Sequence, residues 1–165
     1  MKMAVVSYSL SGNNQMVAQK VAAGLGIEHI QLKEGRKRRA LNTLVDIIFN
    51  RTPRVSPEPD VLAGYDFILL FAPVWMGHIA TPLRSYLKYI GEQRKQYGLI
   101  AVCGGVNRNL KAKVTGYAGV EPAVLMELAI MIELGVKTPF YRLNSAEAER
   151  LADKVLAGLR GHFKL

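Results

Sequence analysis

Six consecutive apolar residues, Phe67 to Ala72 (FILLFA), stop at Pro73 and constrain the fold more than any other stretch of the chain. A strand with one wet face alternates apolar and polar residues. A short run without alternation reads as a strand buried on both faces, as in a parallel sheet. Parallel strands need crossover connections of about a dozen residues or more, usually helical. Met3 to Ser7, Ile27 to Leu32, Leu99 to Cys103 and Val136 to Leu143 read as four further strands. Apolar residues recur at helical spacing in Asn13 to Leu25, Leu41 to Phe49, Pro82 to Ile90, Glu121 to Leu134 and Ser145 to Leu159, with Ser145 as the N-cap of the last. Arg51 to Asp60 carries three prolines and reads as a loop. Strands alternating with helices predict one α/β domain over residues 1–165: an open, doubly wound, five-stranded parallel sheet in the order 2-1-3-4-5.

The rest of the composition narrows the class. Half of the 165 residues are hydrophobic, enough for one sizeable core. The single cysteine, Cys103, excludes an intrachain disulfide, and His29, His78 and His162 lack ligand spacing, so no metal is expected. The amino-terminal apolar stretch is too short for a signal peptide, and no run approaches the roughly 18 apolar residues of a membrane span. A cytoplasmic protein is expected. The formal charge of +9 favours an acidic partner. Residues 33–54 concentrate it: Lys33, Arg36, Lys37, Arg38, Arg39, Arg51 and Arg54 against Glu34 and Asp46. The apolar helix expected over Glu121 to Leu134 needs cover on several sides, from the core or from a second copy, which leaves a homodimer open.

Ligands of such sheets bind outside the carboxyl ends of the strands. Three loops belong there: Ser9 to Asn14, Pro73 to His78 and Gly104 to Asn109. The first, Ser9-Leu10-Ser11-Gly12-Asn13-Asn14, opens a helix, so a phosphate would meet free backbone N–H groups and the positive end of the helix dipole. Ser9, Ser11, Asn13 and Asn14 add neutral donors, and Gly12 allows close approach. The loop has no lysine, unlike a P-loop, which suits a lone phosphate. The second, Pro73-Val74-Trp75-Met76-Gly77-His78, offers the only tryptophan as a flat surface for an aromatic ligand, beside a flexible peptide at Gly77. The third has Gly104 and Gly105, whose N–H groups can approach a ring edge, and Asn107. Cys103 reads as a small core residue and His78 as a helix-start residue. The chain shows no nucleophile elbow, no paired carboxylates and no metal cluster near these loops, so no catalytic side chain is assigned.

Two of these motifs resemble a known family. VVSYSLSGNNQMVAQKVA is similar to the FMN-phosphate loop of flavodoxins, matching at Ser9, Ser11 and Gly12 and departing at Asn14, where the family usually has threonine. YDFILLFAPVWMGHIATPLRSYL is similar to the strand, Pro-Val-Trp-x-Gly loop and following helix that pack on the isoalloxazine ring. The resemblance implies a short-chain flavodoxin-like protein that binds FMN through Ser9–Asn14, Pro73–Gly77, Gly104, Gly105 and Asn107. It implies electron transfer to or from a redox partner protein or a small-molecule acceptor, and the charge of +9 favours an acidic one. The basic charge departs from the family's usual acidity. It permits an FMN-dependent reductase or oxidase acting on a quinone or an anionic small molecule, with peripheral contact to an anionic membrane. Nucleic acid is set aside as a partner.

Overall fold

The computed structural model describes residues 1–35 and 40–163. Along the chain lie β1 (Met3–Ser7), α1 (Asn13–Leu25), β2 (Glu28–Gln31), α2 (Ala40–Ile48), β3 (Phe67–Phe71), β4 (Val74–Trp75), β5 (His78–Ile79), α3 (Arg84–Glu92), β6 (Gln96–Cys103), α4 (Leu110–Ala118), β7 (Val124–Ala129), α5 (Ile130–Glu133) and α6 (Ser145–Phe163). Five strands form one parallel sheet in the order β2-β1-β3-β6-β7, the 2-1-3-4-5 order expected for the five sheet strands.

The unbroken apolar run of β3 has the anticipated cause. All five residues of Phe67–Phe71 are fully buried, with β1 on one side and β6 on the other. Successive side chains leave opposite faces of a strand. Ile68 and Leu70 enter one core layer with Tyr86, Leu87, Ile90, Leu110 and Val114 of α3 and α4. Phe67, Leu69 and Phe71 enter the other with Val17 and Val21 of α1 and Leu151 and Val155 of α6. The sheet is therefore covered on both faces, and its carboxyl edge carries the loops.

The last third of the chain corrects the sequence reading. Glu121 to Leu134 is not one helix. Residues 121–123 are a connector, Val124–Ala129 is the edge strand β7, and only Ile130–Glu133 is helical. Val136 to Leu143 is not a strand but irregular chain. The physical reason lies in β6. Its outer side, from Gly98 to Cys103, offers unpaired backbone groups, and β7 satisfies them by pairing Gly98 with Val124 through Cys103 with Ala129. Along β7, Val124, Met126 and Leu128 face the layer of α1 and α6, whereas Leu125 faces the other. A 14-residue, mostly apolar stretch satisfied a helix template by length, but it contained a strand and a turn of helix. The helix required between β6 and β7 is α4, in a stretch where no helix was expected. The N-cap of α6 is Asn144 rather than Ser145. The Asn144 Oδ1 accepts from the Glu147 N–H at 2.9 Å while the Glu147 Oε2 accepts from the Asn144 N–H at 2.9 Å, a reciprocal capping box. A self-association face on a 121–134 helix falls with the helix.

Candidate functional site

The first loop leaves β1 and enters α1 through Gly12, whose φ of 96° lies in the left-handed region open to glycine. The Gly12 N–H donates to the Ser9 Oγ at 3.0 Å, and the Met16 N–H donates to the Gly12 carbonyl at 2.9 Å. The N–H groups of Asn13, Asn14 and Gln15 have no acceptor within the helix, by the geometry of any helix start. The first turn contains no acidic residue, so the positive end of the helix dipole is not neutralised locally. Leu10 and Ser11 are exposed, and no atom lies within 4 Å of the space a Gly12 Cβ would take.

The two asparagines act differently from the expectation. Both are buried, and both side-chain amides are committed to the protein. The Asn14 Nδ2 donates to the Val102 carbonyl at 2.8 Å and its Oδ1 accepts from the Val102 N–H at 3.0 Å. The Asn13 Nδ2 donates to the Tyr141 carbonyl at 2.8 Å and its Oδ1 accepts from the Leu143 N–H at 3.0 Å. Their side chains therefore fix the first loop to β6 and to the 136–143 segment. Their backbone N–H groups remain the donors on the open side.

The second loop is a small β-hairpin. Val74 pairs with Ile79 and Trp75 with His78, antiparallel. The turn residues Met76 and Gly77 have φ of 50° and 73°, the type I′ pattern that matches the twist of a hairpin. Trp75 is half-buried, with its ring edge-on to Tyr8 at 5.8 Å between centroids and 81° between planes. The Tyr8 hydroxyl donates to the Glu34 Oε2 at 2.7 Å. The Lys113 Nζ, from α4, donates to the Gly77 carbonyl at 2.8 Å, so the peptide expected to be flexible has a charged anchor. Pro73 and Val74 are half-buried; Met76 is 74% exposed.

In the third loop, Gly104 packs so closely on Pro139 that a Cβ would lie 2.4 Å from the proline Cβ, whereas Gly105 faces open space. Asn107 is held by Glu127: its N–H and Nδ2 donate to one carboxylate oxygen at 2.8 and 3.0 Å. Cys103 is buried, and its thiol donates to the Gly105 carbonyl at 3.1 Å. Burial, with Glu127 nearby, pushes this thiol up to about 12, so it stays protonated near neutral pH. The sequence reading missed Tyr8 and Glu127 as supports. Nothing in either residue's local pattern signals which loop it will touch.

Of the cationic residues that follow β2 and β6, Arg36 to Arg39 lie outside the described residues. Arg108 is exposed, Lys111 pairs with Glu121 at 2.7 Å, and Lys113 is the cation beside the hairpin. Among the described residues no cluster of three or more His, Cys, Asp or Glu could hold a metal, and no helix is long and apolar enough to cross a membrane. A wide cleft of about 810 Å3 lies at the amino end of β6, between Gly91, Tyr97, Val120 and Phe163, and shares no residue with the three loops.

Two histidines link this region to pH. Burial holds the His29 imidazole below its ordinary value of 6.5. Burial, then the charges of Lys113 and Arg84, does the same to His78, whose buried Nδ1 has no hydrogen-bond partner. The unfolded chain therefore binds more protons than the folded chain once the pH drops below 6.5, and stability falls in that direction. The melting temperature is expected to fall between about pH 7 and pH 5, and His29→Gln or His78→Gln should flatten the slope. An unchanged slope in both variants would refute the assignment.

No family model matches the chain. Among solved structures, the chain is similar to a flavoprotein from Lactobacillus acidophilus NCFM crystallised in complex with FMN, over 81% of this chain and 97% of that one, with a TM-score of 0.63 and 20% identity. It is similar to oxidised flavodoxin 1 from Bacillus cereus over 97% and 98% of the two chains, with a TM-score of 0.53 and 15% identity. It is also similar to a flavone reductase, over 97% of this chain and 63% of that one, with a TM-score of 0.50 and 14% identity. At such identities the likeness is one of architecture, and with the sheet order and the loops at its carboxyl edge it gives this chain the flavodoxin-like fold.

Proposed function

We propose that the chain binds one FMN at the carboxyl edge of its sheet and serves as an electron-transfer protein of the flavodoxin type. The observation that carries this reading is the start of α1: a glycine in the left-handed region, backbone donors without helical acceptors, and no acidic residue in the first turn. That donor set fits a phosphate. The FMN in the Lactobacillus acidophilus complex supports the same choice of ligand.

The roles of the side chains follow. The N–H groups of the first helical turn, with the Ser11 hydroxyl, hold the phosphate. Asn13 and Asn14 hold the loop in place through their amides. Trp75, braced edge-on by Tyr8, presents an aromatic face toward a flat ring. Gly105, in open space, lets backbone groups meet a ring edge, while Glu127 fixes the Asn107 end of that loop. A flavin bound there would supply transfer of one or two electrons. Its partner would be an acidic protein or a small acceptor, given the charge of +9. A second reading is an FMN-dependent reductase or oxidase acting on a quinone or an anionic small molecule. It is favoured by the Lys113 ammonium at the hairpin, a cation placed to meet an anionic substrate, and by the likeness to a flavone reductase. Turnover of a quinone with NAD(P)H separates the two.

Calorimetric titration with absorbance detection tests the cofactor. FMN should bind at least tenfold more tightly than riboflavin, since charge-assisted hydrogen bonds to the phosphate are each worth about 1.5–3 kcal/mol. In the same titration, Trp75→Ala should weaken FMN by about tenfold and relieve fluorescence quenching, given about 1–3 kcal/mol for stacking on an aromatic side chain. Equal affinities for FMN and riboflavin would reject the phosphate site. An unchanged affinity in Trp75→Ala would reject the stacking role.

A further inference from the structure

Helix α2 leaves large apolar side chains open to solvent. Leu44 and Ile48 are 38% and 64% exposed and lie one turn apart; Phe49, just past the helix, is 68% exposed. Asn42 is exposed with them, whereas Thr43, Val45, Asp46 and Ile47 are half-buried. A surface helix ordinarily turns its large apolar side chains toward the core.

This orientation is fixed from within. Arg84, at the start of α3, is only 3% exposed. Its Nη1 donates to the carbonyls of Asp46 and Arg51 at 3.2 and 3.1 Å and to the Asn50 Oδ1 at 3.0 Å. A buried guanidinium thus caps the end of α2, where a cation also meets the negative end of the helix dipole. The other side of α2 is left outward.

The chain on either side of α2 is cationic in sequence. Lys33, Arg51 and Arg54 are exposed, and the Arg51 guanidinium sits 5.8 Å from the centre of the Phe49 ring. In the sequence, Arg36, Lys37, Arg38 and Arg39 immediately precede Ala40, the first residue of α2. Exposed aliphatic and aromatic side chains among several arginines and lysines make up an interfacial lipid-binding element. A second copy of the chain is a poor occupant, because a two-fold contact would set the same cations against each other. A globular partner is also a poor one, because three side chains make a strip far smaller than the roughly 800 Å2 per partner of a stable interface.

We propose that this face docks on an anionic lipid bilayer, with Leu44, Ile48 and Phe49 entering the boundary between headgroups and acyl chains and the flanking cations resting on lipid phosphates. The contact is independent of any flavin.

Co-sedimentation with phosphatidylcholine vesicles, with and without phosphatidylglycerol, tests it. Binding should require phosphatidylglycerol, weaken as salt screens the charges, and weaken by roughly fivefold for each arginine removed in Arg51→Gln and Arg54→Gln. The double variant Ile48→Ser/Phe49→Ser should bind at least about tenfold more weakly, since it keeps every charge and loses the inserted apolar area. These positions are exposed, and a thermal melt would check that the variant stays folded. Absence of binding to phosphatidylglycerol vesicles would overturn the proposal. So would binding indifferent to the Ile48/Phe49 pair, or sedimentation equilibrium showing a dimer that this pair of substitutions dissolves.

Discussion

Replacing Gly91 with alanine is expected to lower the stability of the fold by about 3 kcal/mol or more, the upper end of what overpacking a core costs. A Cβ built on Gly91 would lie 1.8 Å from the Ala118 carbonyl oxygen and 2.8 Å from its carbonyl carbon. Those are backbone atoms of the neighbouring helix, so no side-chain rotation relieves the overlap. The helices cannot part freely either. Tyr86, Leu87 and Ile90 of α3 and Leu110 and Val114 of α4 are fully buried in one core layer, and Ala118 nearly so. Gly116, on the same α4, is the control: nothing lies within 4 Å of its missing Cβ. Gly116→Ala should stabilise by up to about 1 kcal/mol through helix propensity alone. Urea unfolding of both variants measures the difference as midpoint shifts of opposite sign at constant slope. A Gly91→Ala protein as stable as the parent would mean that the end of α4 yields without cost, against the contact described.

Asn14→Ala is expected to destabilise by about 2–6 kcal/mol, the cost of orphaning a buried donor and a buried acceptor at roughly 1–3 kcal/mol each. The register of β3 with β6 ends at the pair Phe71 and Ile100, and the Ala72 N–H adds one bond to the Ile100 carbonyl. Beyond it, the Val102 N–H and carbonyl would lack a strand neighbour on that side. The Asn14 amide meets both, at 3.0 and 2.8 Å, as a further residue of β3 would. Asn14 is 1% exposed, so water does not easily replace it. Asn14→Asp keeps the acceptor for the Val102 N–H but places a carboxylate against the Val102 carbonyl, and it should not rescue the loss. Hydrogen exchange at the Val102 amide reads the effect locally, and urea unfolding reads it globally. Full stability in Asn14→Ala would show that the amide contributes nothing beyond what solvent supplies.

How much of this was legible in the sequence differs from element to element. FILLFA pointed to a strand buried on both faces, because a parallel sheet covered on two sides removes six consecutive apolar side chains from water. From that strand and its helical crossovers followed the sheet order and the edge where the three loops meet. The hairpin within 73–78 was not legible. Met76-Gly77 lacks the Asn-Gly or Asp-Gly signal, and its positive φ values appear only with the chain folded back on itself.

The stretch from Glu121 to Leu143 was beyond the reach of periodicity for a different reason. Apolar spacing records how much of a segment is buried, not which partner supplies its backbone hydrogen bonds. VLMELA became a strand because β6 had an open edge six residues long, and the helix slot passed to Leu110–Ala118. The same limit applies to Asn13 and Asn14. The sequence placed both amides in the loop that opens α1. Only the folded chain brought Val102 and Leu143 within 3.0 Å of them, across 88 and 130 residues of sequence, and so turned expected ligand donors into the bonds that hold the loop. Local pattern determines what a segment can bury. Long-range pairing of polar groups decides where each side chain points, and that decision exists only in the tertiary structure.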